Sequence, residues 1–211
     1  TVNGREIPAT QNGWQLLRTN AALPMTLSSS MPWQIGFINI ERPGRGVTVS
    51  AMGINGAQLS QWSKWRPGMW EDLAQTKADL IILAYGTNEA FSGNLDISST
   101  ERTWHNYIRQ IKNTLPNAGI LILGAPESLK TAYGSCGNRP VLLSEVQQMQ
   151  QRVARDEKIM FWSWQDAMGG ACSMKNWMAQ GLAAKDGVHF SAQGYETAAD
   201  KLADSLIRFA Q

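Results

Sequence analysis

Short apolar runs alternate with longer segments of helical periodicity from about residue 46 onward. Residues 79–85 (DLIILAY) are almost entirely apolar, which is typical of a strand that is buried on both faces. Residues 47–52, Gly119–Leu123 and 159–164 are predicted to be three further strands. Because helical segments separate these strands, the pattern predicts an α/β domain whose parallel sheet is covered by helices on both faces.

Four helices are predicted between and after these strands, at residues 56–75, 100–115, 141–158 and 191–210. The second of them has an apolar stripe at helical spacing that includes Trp104, Ile108 and Ile111. Ser191 is predicted to be the N-cap of the last helix.

The first 45 residues follow a different pattern. They contain strand-like pieces at 14–18 and 33–41 and no segment with clear helical spacing. We expect residues 1–45 to be the tail of a β-rich, carbohydrate-binding-like module or insert. The turn at 42–46 (RPGRG) would join it to the α/β domain of residues 46–211.

Composition and charge exclude several classes of protein. Apolar residues make up 43% of the chain and charged residues 17%, which is typical of a globular protein. A net charge of +2 is too small to indicate binding to nucleic acid. No apolar run approaches the roughly 20 residues of a membrane-spanning helix.

The two cysteines, Cys136 and Cys172, fit either one disulfide or two separate buried thiols, and we predict that they pair. No further Cys or clustered His accompanies them, so a structural zinc site is not expected. Since no metal cluster or phosphate-cradling loop is found, the sequence implies no cofactor.

Only two histidines are available as a catalytic base. His105 falls within a predicted helix and is interpreted as a surface or helix-face residue. His189 lies in the segment 185–191 (KDGVHFS), three residues after Asp186 and directly before the last helix. A carboxylate at this spacing could orient the imidazole, but D-x-x-H matches are common by chance and also fit a simple turn.

Two further segments lie where predicted strands give way to helices. Residues 84–90 (AYGTNEA) place Asn88 at the end of the most apolar strand, at the edge where parallel α/β sheets carry their sites. Residues 50–56 (SAMGING) place Gly53 at a second such junction. An Asn side chain and a backbone N–H can both stabilise an oxyanion, although each signal is weak alone.

Taken in order, Gly53, Gly86-Thr-Asn88 and Asp186-x-x-His189 resemble the second, third and fifth sequence blocks of the SGNH (GDSL-type) hydrolases over residues 46–211. The segments GINGA, GTNEAF and DGVHFSAQGY are similar to the corresponding motifs of the peptidoglycan O-acetylesterase branch. Glu89 stands where the wider superfamily usually has Asp, which agrees with this branch.

This resemblance implies a flavodoxin-like three-layer sandwich and a serine esterase. His189 would be its general base, Asp186 would orient that base, and Gly53 and Asn88 would supply oxyanion donors. The implied substrate is an O-acetylated sugar, above all peptidoglycan, and the implied location is the bacterial periplasm or exterior.

The sequence departs from the family at the nucleophile, because it contains no Gly-Asp-Ser segment. Residues 28–30 (SSS) lack that context, and Ser50 lies too close to Gly53 to face it. We therefore expect the first strand and its serine to lie on an upstream piece, on another polypeptide, or to be absent. Without that serine, the His–Asp pair should give little hydrolysis.

Two other functions stay open. The SGNH scaffold also carries lipases and thioesterases, so the acyl group is not fixed by the fold. A chain that keeps the pocket without a nucleophile could instead be a non-catalytic carbohydrate-binding protein.

Overall fold

The computed structural model describes residues 1–7, 15–36, 38–42 and 44–209. The chain divides into two compact units, Thr1–Met52 and Gly53–Gln211. This division lies seven residues after the boundary expected from the sequence.

The second unit contains all the regular helices and strands of the described residues. A 3-10 helix at Leu59–Lys64 precedes the elements α1 (Met69–Thr76), β1 (Leu80–Leu83), α2 (Thr87–Phe91), α3 (Ile97–Thr114), β2 (Gly119–Leu123), α4 (Leu143–Asp156), β3 (Met160–Trp162), α5 (Trp164–Met168), α6 (Ser173–Ala179) and α7 (Ala192–Phe209). The alternation confirms the predicted α/β class.

The described strands form one parallel sheet in the order β1-β2-β3. Leu80 pairs with Gly119, and Leu121 pairs with Met160. The central strand β2 is buried along Ile120–Leu123 on both faces, as its continuous apolar run predicts. The strand-to-helix turns after β1 and β2 therefore lie at one edge of this sheet.

The buried apolar side chains of the described residues form two clusters. The larger cluster packs β1 and β2 against α3 and α4, with Trp104, Ile108 and Val146 fully buried. A smaller cluster joins α5, α6 and α7 around Met174, Trp177 and Phe190.

The strand predicted at 47–52 is wrong. These residues form no strand, and the side chains of Val47 and Val49 are 92% and 86% exposed. Their β-branched composition favours an extended backbone, but a strand also requires a neighbour that satisfies its N–H and C=O groups.

The helix predicted at 56–75 is two shorter elements, Leu59–Lys64 and Met69–Thr76. Pro67 lies between them, and the residue before a proline is disfavoured in the helical conformation. Gly68 then adopts a φ of 95° before α1 begins.

The first unit has little regular structure over its described residues. Val2 forms isolated antiparallel bridges with Arg5 and Leu27, and the Asn3 side chain bonds the backbone of Ala22 and Thr26. The strand pieces predicted at 14–18 and 33–41 are not strands where the structure describes them; Trp14 and Phe37 lie outside the described residues, as does position 43 of the predicted turn.

Candidate active site

A short loop before α7 holds His189. Gly187 adopts a φ of 71°, and its carbonyl accepts a hydrogen bond from the N–H of Leu129 at 2.8 Å. The carbonyl of His189 accepts another from the N–H of Ala184 at 2.8 Å. The Ser191 hydroxyl accepts from the N–H of Gly194 at 3.1 Å, which confirms the predicted N-cap.

The imidazole of His189 pairs with the carboxylate of Asp186. Nδ1 of His189 lies 2.7 Å from Oδ2 of Asp186, while Oδ1 accepts the backbone N–H groups of Val188 and His189 at 2.8 and 3.0 Å. The bond from His189 and these two backbone bonds lower the pKa of Asp186 to about 2.

This pKa fixes the roles of the two imidazole nitrogens. An ionised carboxylate only accepts hydrogen bonds, so Nδ1 of His189 is the donor to Asp186. Nε2 is then free to accept a proton in the neutral imidazole. The His189 side chain is 73% exposed, so a reacting group can approach this nitrogen.

The turn after β1 positions Asn88. Gly86 adopts a φ of 119°, and a Cβ there would lie 2.8 Å from both the Cβ of Ala125 and Nε2 of Gln150. Only glycine therefore fits this close approach between the ends of β1 and β2. The tight turn brings Asn88 into the first turn of α2.

The Asn88 side chain is bound to the segment that follows Gly53. Its Nδ2 donates to the carbonyl of Ala57 at 2.9 Å, and Nε2 of Gln58 donates to the backbone carbonyl of Asn88 at 3.2 Å. A carboxamide has two N–H donors, so one remains for a ligand. The N–H of Ala57 closes a turn onto Ile54 at 3.1 Å.

The structure thus joins the four predicted site residues as two local groups. His189 is bonded directly to Asp186, whereas Asn88 reaches the turn that begins one residue after Gly53. Gly53 itself is exposed and lies in no helix or strand.

Glu89 is a buried residue of this region whose role the sequence did not reveal. Only 2% of it is exposed, and its carboxylate accepts the N–H groups of Leu59 and Gly86, each at 2.9 Å. Burial raises the pKa of Glu89 above its ordinary value, although these backbone bonds oppose that effect. Glu89 therefore fixes the turn that carries Asn88.

Gln150 is a second such residue. It is fully buried on α4, where Oε1 accepts the N–H of Ala125 at 2.8 Å and Nε2 donates to the carbonyl of Tyr85 at 2.7 Å. These bonds join the carboxyl ends of β1 and β2. The sequence carries a signal for the burial of Gln150, because this residue lies with Val146 and Met149 on the apolar face of a helix.

No serine hydroxyl forms a hydrogen bond with His189 among the described residues. Ser29 bonds only the backbone of Met31, and Ser28 pairs through its backbone N–H with Thr1. Ser50 is exposed and lies in no strand.

The predicted disulfide between Cys136 and Cys172 is confirmed, with the two Cα atoms 4.8 Å apart. The bond links the loop that follows β2 to the segment directly before α6. Next to it, the buried carboxylate of Glu127 accepts Nε of Arg139 at 2.5 Å and the N–H of Cys172 at 2.8 Å.

His105 and the tryptophans of the first helical segment are structural. Nδ1 of His105 lies 2.7 Å from the carboxylate of Glu157. Trp62 stacks on Trp65 with ring centroids 4.7 Å apart and donates to the hydroxyl of Tyr85 at 2.8 Å. Packing therefore explains the positions of these two rings.

Two features are absent from the residues that the structure describes. None of their helices combines the length and the apolar character needed to cross a bilayer. They also contain no group of three or more His, Cys, Asp or Glu side chains arranged to hold a metal ion.

The fold and the ordered motifs define an SGNH-type hydrolase domain. The model of the GDSL-like lipase/acylhydrolase family matches residues 18–197, and the chain belongs to this family. Among solved structures it is similar to a peptidoglycan O-acetylesterase, with 66% identity and a TM-score of 0.94. The match covers 99% of this chain but only 60% of that protein's chain.

Two more distant structures show the same fold. An acetyl xylan esterase has 16% identity and a TM-score of 0.57, with 72% of this chain and 78% of that chain covered. An acetylxylan esterase from Geobacillus stearothermophilus has 17% identity and a TM-score of 0.51, with coverage of 72% and 67%. No curated protein sequence gives a significant match.

Proposed function

We propose that this chain carries the catalytic base and the oxyanion donors of an esterase that removes O-acetyl groups from carbohydrate, most directly from peptidoglycan. The observation that carries the proposal is the His189–Asp186 pair, in which a carboxylate with a pKa of about 2 orients the imidazole. The 66% identity to a peptidoglycan O-acetylesterase supports the choice of substrate.

In the proposed reaction, a serine hydroxyl attacks the carbonyl carbon of the acetyl ester while Nε2 of His189 takes the hydroxyl proton. Asp186 stabilises the imidazolium that forms. The N–H of Gly53 and Nδ2 of Asn88 donate to the oxyanion of the tetrahedral intermediate. His189 then protonates the departing sugar oxygen, and water releases acetate from the acetyl-serine by the same steps.

We further propose that a segment outside these 211 residues supplies the nucleophilic serine. The sequence contains no Gly-Asp-Ser segment, and it spans 60% of the length of the similar peptidoglycan O-acetylesterase. In addition, β1 is an edge strand of the described sheet, and Ile82 on it is 45% exposed. A further strand beside β1 would cover this side chain and carry the serine to the end of the sheet where Asn88 lies.

In this proposal residues 1–45 are the tail of a module inserted between the serine and Gly53, and the protein works outside the cytoplasm. The Cys136–Cys172 disulfide supports an oxidising compartment, because such bonds rarely persist in the cytosol. A non-catalytic carbohydrate-binding protein is the second candidate, and the missing nucleophile is the observation that favours it.

Hydrolysis of p-nitrophenyl acetate tests the proposal, with the 211-residue chain and the longer gene product assayed side by side. We expect the chain alone to match its His189→Ala variant, because the base has no nucleophile to activate. In the longer protein, His189→Ala should lower kcat by about 10⁴-fold or more, and Asn88→Ala by about 10²- to 10³-fold.

Release of acetate from O-acetylated peptidoglycan by the longer protein tests the substrate. A longer protein that binds this polymer but turns over neither substrate would support the binding-protein candidate. Activity of the 211-residue chain that depends on His189 would overturn the external nucleophile and direct attention to the serines at 28–30.

A further inference from the structure

A polar groove opens on the surface of the Gly53–Gln211 unit beside α4. Its volume is about 290 Å³, and it is lined by Arg139, Ser144, Gln147, Gln148, Gln151 and Gln165, together with Ala171. This volume lies at the lower end of the range for small-ligand sites, which begins at about 300 Å³. The groove therefore has room for a short stretch of a larger ligand.

Arg139 is the only charged residue of this lining, and a buried carboxylate neutralises its charge. Glu127 has no exposed surface, and its Oε1 accepts Nε of Arg139 at 2.5 Å. Nη1 of the same guanidinium donates to the hydroxyl of Ser144 at 3.1 Å. Because the carboxylate cancels the positive charge, the groove offers an anion no net attraction.

Hydrogen bonds to the protein also hold the side chains of Gln147 and Gln165 in position. Nε2 of Gln147 donates to the carbonyl of Ala125 at 2.8 Å, and Nε2 of Gln165 lies 3.3 Å from the Glu127 carboxylate. Both amide oxygens, and Nη2 of Arg139, make no hydrogen bond among the described residues. These groups are available to a ligand without further loss of side-chain freedom.

Gln148 and Gln151 extend this set along one face of α4, where residues three and four apart are neighbours. Both are exposed, and neither side chain forms a hydrogen bond among the described residues. Each carboxamide is both a donor and an acceptor. A row of such groups matches a neutral ligand whose own groups also donate and accept, as sugar hydroxyl and acetamido groups do.

The groove and the His189 loop are connected by one buried segment. Glu127 anchors Arg139 in the groove, and Leu129, two residues later, donates its N–H to Gly187 of the His189 loop. Two residues of extended chain span at most about 7 Å. The buried carboxylate at the base of the groove and the His189 loop are therefore joined by a short stretch of backbone.

We propose that this groove is a glycan-binding subsite, which holds a neutral N-acetylated stretch of the polymer while the acetyl ester is presented to His189. The position of the reacting ester rests on the function proposed above, whereas binding of the glycan does not. The ligand class is a neutral oligosaccharide with acetamido groups rather than an anionic polymer.

The test is a titration of the ¹⁵N-labelled 211-residue chain with soluble chitotetraose, followed by NMR. We expect shifts at the backbone and side-chain amides of the groove, and an apparent Kd about tenfold weaker in the Gln148→Ala/Gln151→Ala variant. Gln110→Ala is the matched control, since Gln110 is exposed on α3 and forms no side-chain hydrogen bond among the described residues. Its Kd should equal that of the unchanged chain.

Several outcomes would overturn the subsite: no shifts, shifts confined to other surfaces, or equal binding by the double variant whose thermal unfolding is unchanged. Displacement of chitotetraose by dextran sulfate from the same amides would show an anion site instead. Because this assay requires no turnover, its result is separate from the esterase assays. Binding without acetate release by the longer protein would leave the subsite standing and remove the proposed reaction.

Discussion

The Asp186 carboxylate lies in a setting that favours its charged form. It accepts one bond from the imidazole of His189 and two from backbone N–H groups, and its pKa falls to about 2. Asp186 is therefore ionised at every pH at which the proposed esterase would work. A permanently ionised partner keeps the proton of neutral His189 on Nδ1 and leaves Nε2 as the acceptor.

This lowered pKa predicts an acid-dependent loss of stability. The pKa of an unfolded Asp is about 3.9, so the contribution of Asp186 to the free energy of unfolding is complete above about pH 4 and is lost as the pH falls towards 2. Urea unfolding of the chain and of Asp186→Asn should show a difference in free energy that shrinks across this window. A difference that stays constant below pH 4 would contradict the lowered pKa.

Substitutions of Glu89 should lower the free energy of unfolding by an amount that depends on how many of its hydrogen bonds are lost. Glu89→Ala removes the acceptor of two N–H groups, those of Leu59 and Gly86, whereas Glu89→Gln can still serve one of them. Each buried N–H left unsatisfied costs about 1 to 3 kcal/mol, so Ala should destabilise the chain more than Gln. Urea unfolding measures both variants.

The control for these variants is Glu145→Ala, an exposed residue of α4 without a hydrogen bond from its side chain among the described residues. It should change the free energy of unfolding by no more than about 0.5 kcal/mol. Equal effects of the Ala and Gln replacements at Glu89 would show that the two N–H bonds do not determine its role.

At the scale of elements, the segment after β2 connects the main features of the site. Its residues 125–129 are buried and contact α4 through Gln147, the disulfide region through Glu127, and the His189 loop through Leu129. The Cys136–Cys172 bond crosses 36 residues and fastens the exposed part of this loop. Order in the loop therefore affects both the groove and the His189–Asp186 pair.

Removal of this disulfide should destabilise the chain. A disulfide restricts the unfolded chain, and for a loop of this length it stabilises the folded protein by about 2 to 4 kcal/mol. The Cys136→Ser/Cys172→Ser variant should therefore unfold at a lower urea concentration. A reducing agent should reproduce the shift in the unchanged chain and have no effect on the double variant. Two titratable thiols in the unfolded, unreduced chain would contradict the pairing.

At the scale of the whole molecule, the sheet has an edge that the proposed nucleophile segment would cover. β1 pairs only with β2 in the described sheet. Because successive N–H groups of a strand point to opposite sides, part of the β1 amides face away from β2.

These outward β1 amides should exchange hydrogen rapidly in the 211-residue chain and slowly in the longer protein, where a neighbouring strand would bond them. Exchange followed by mass spectrometry or NMR measures the difference, and the amides of the central strand β2 are the internal control. Equal exchange of β1 in both proteins would argue against a strand at this edge.

Features that depend on neighbouring residues were predictable from the sequence. The bounds of β2 are confirmed at Gly119–Leu123, where a continuous apolar run of strand length is buried in the central strand of the sheet. The Asp186–His189 contact also follows from local spacing, since three residues close within one turn.

Features that depend on distant partners were decided by the tertiary structure. Residues 47–52 have the composition of a strand but lie in none, because backbone hydrogen bonds to a neighbour make a strand and its own side chains cannot supply them. The side chains of Gln150 and Glu89 form hydrogen bonds between separate elements. They can do so only because the fold brings the ends of β1, β2 and the 3-10 helix together. The sequence by itself determined which short segments hold the candidate site residues, and long-range packing decided which of them meet.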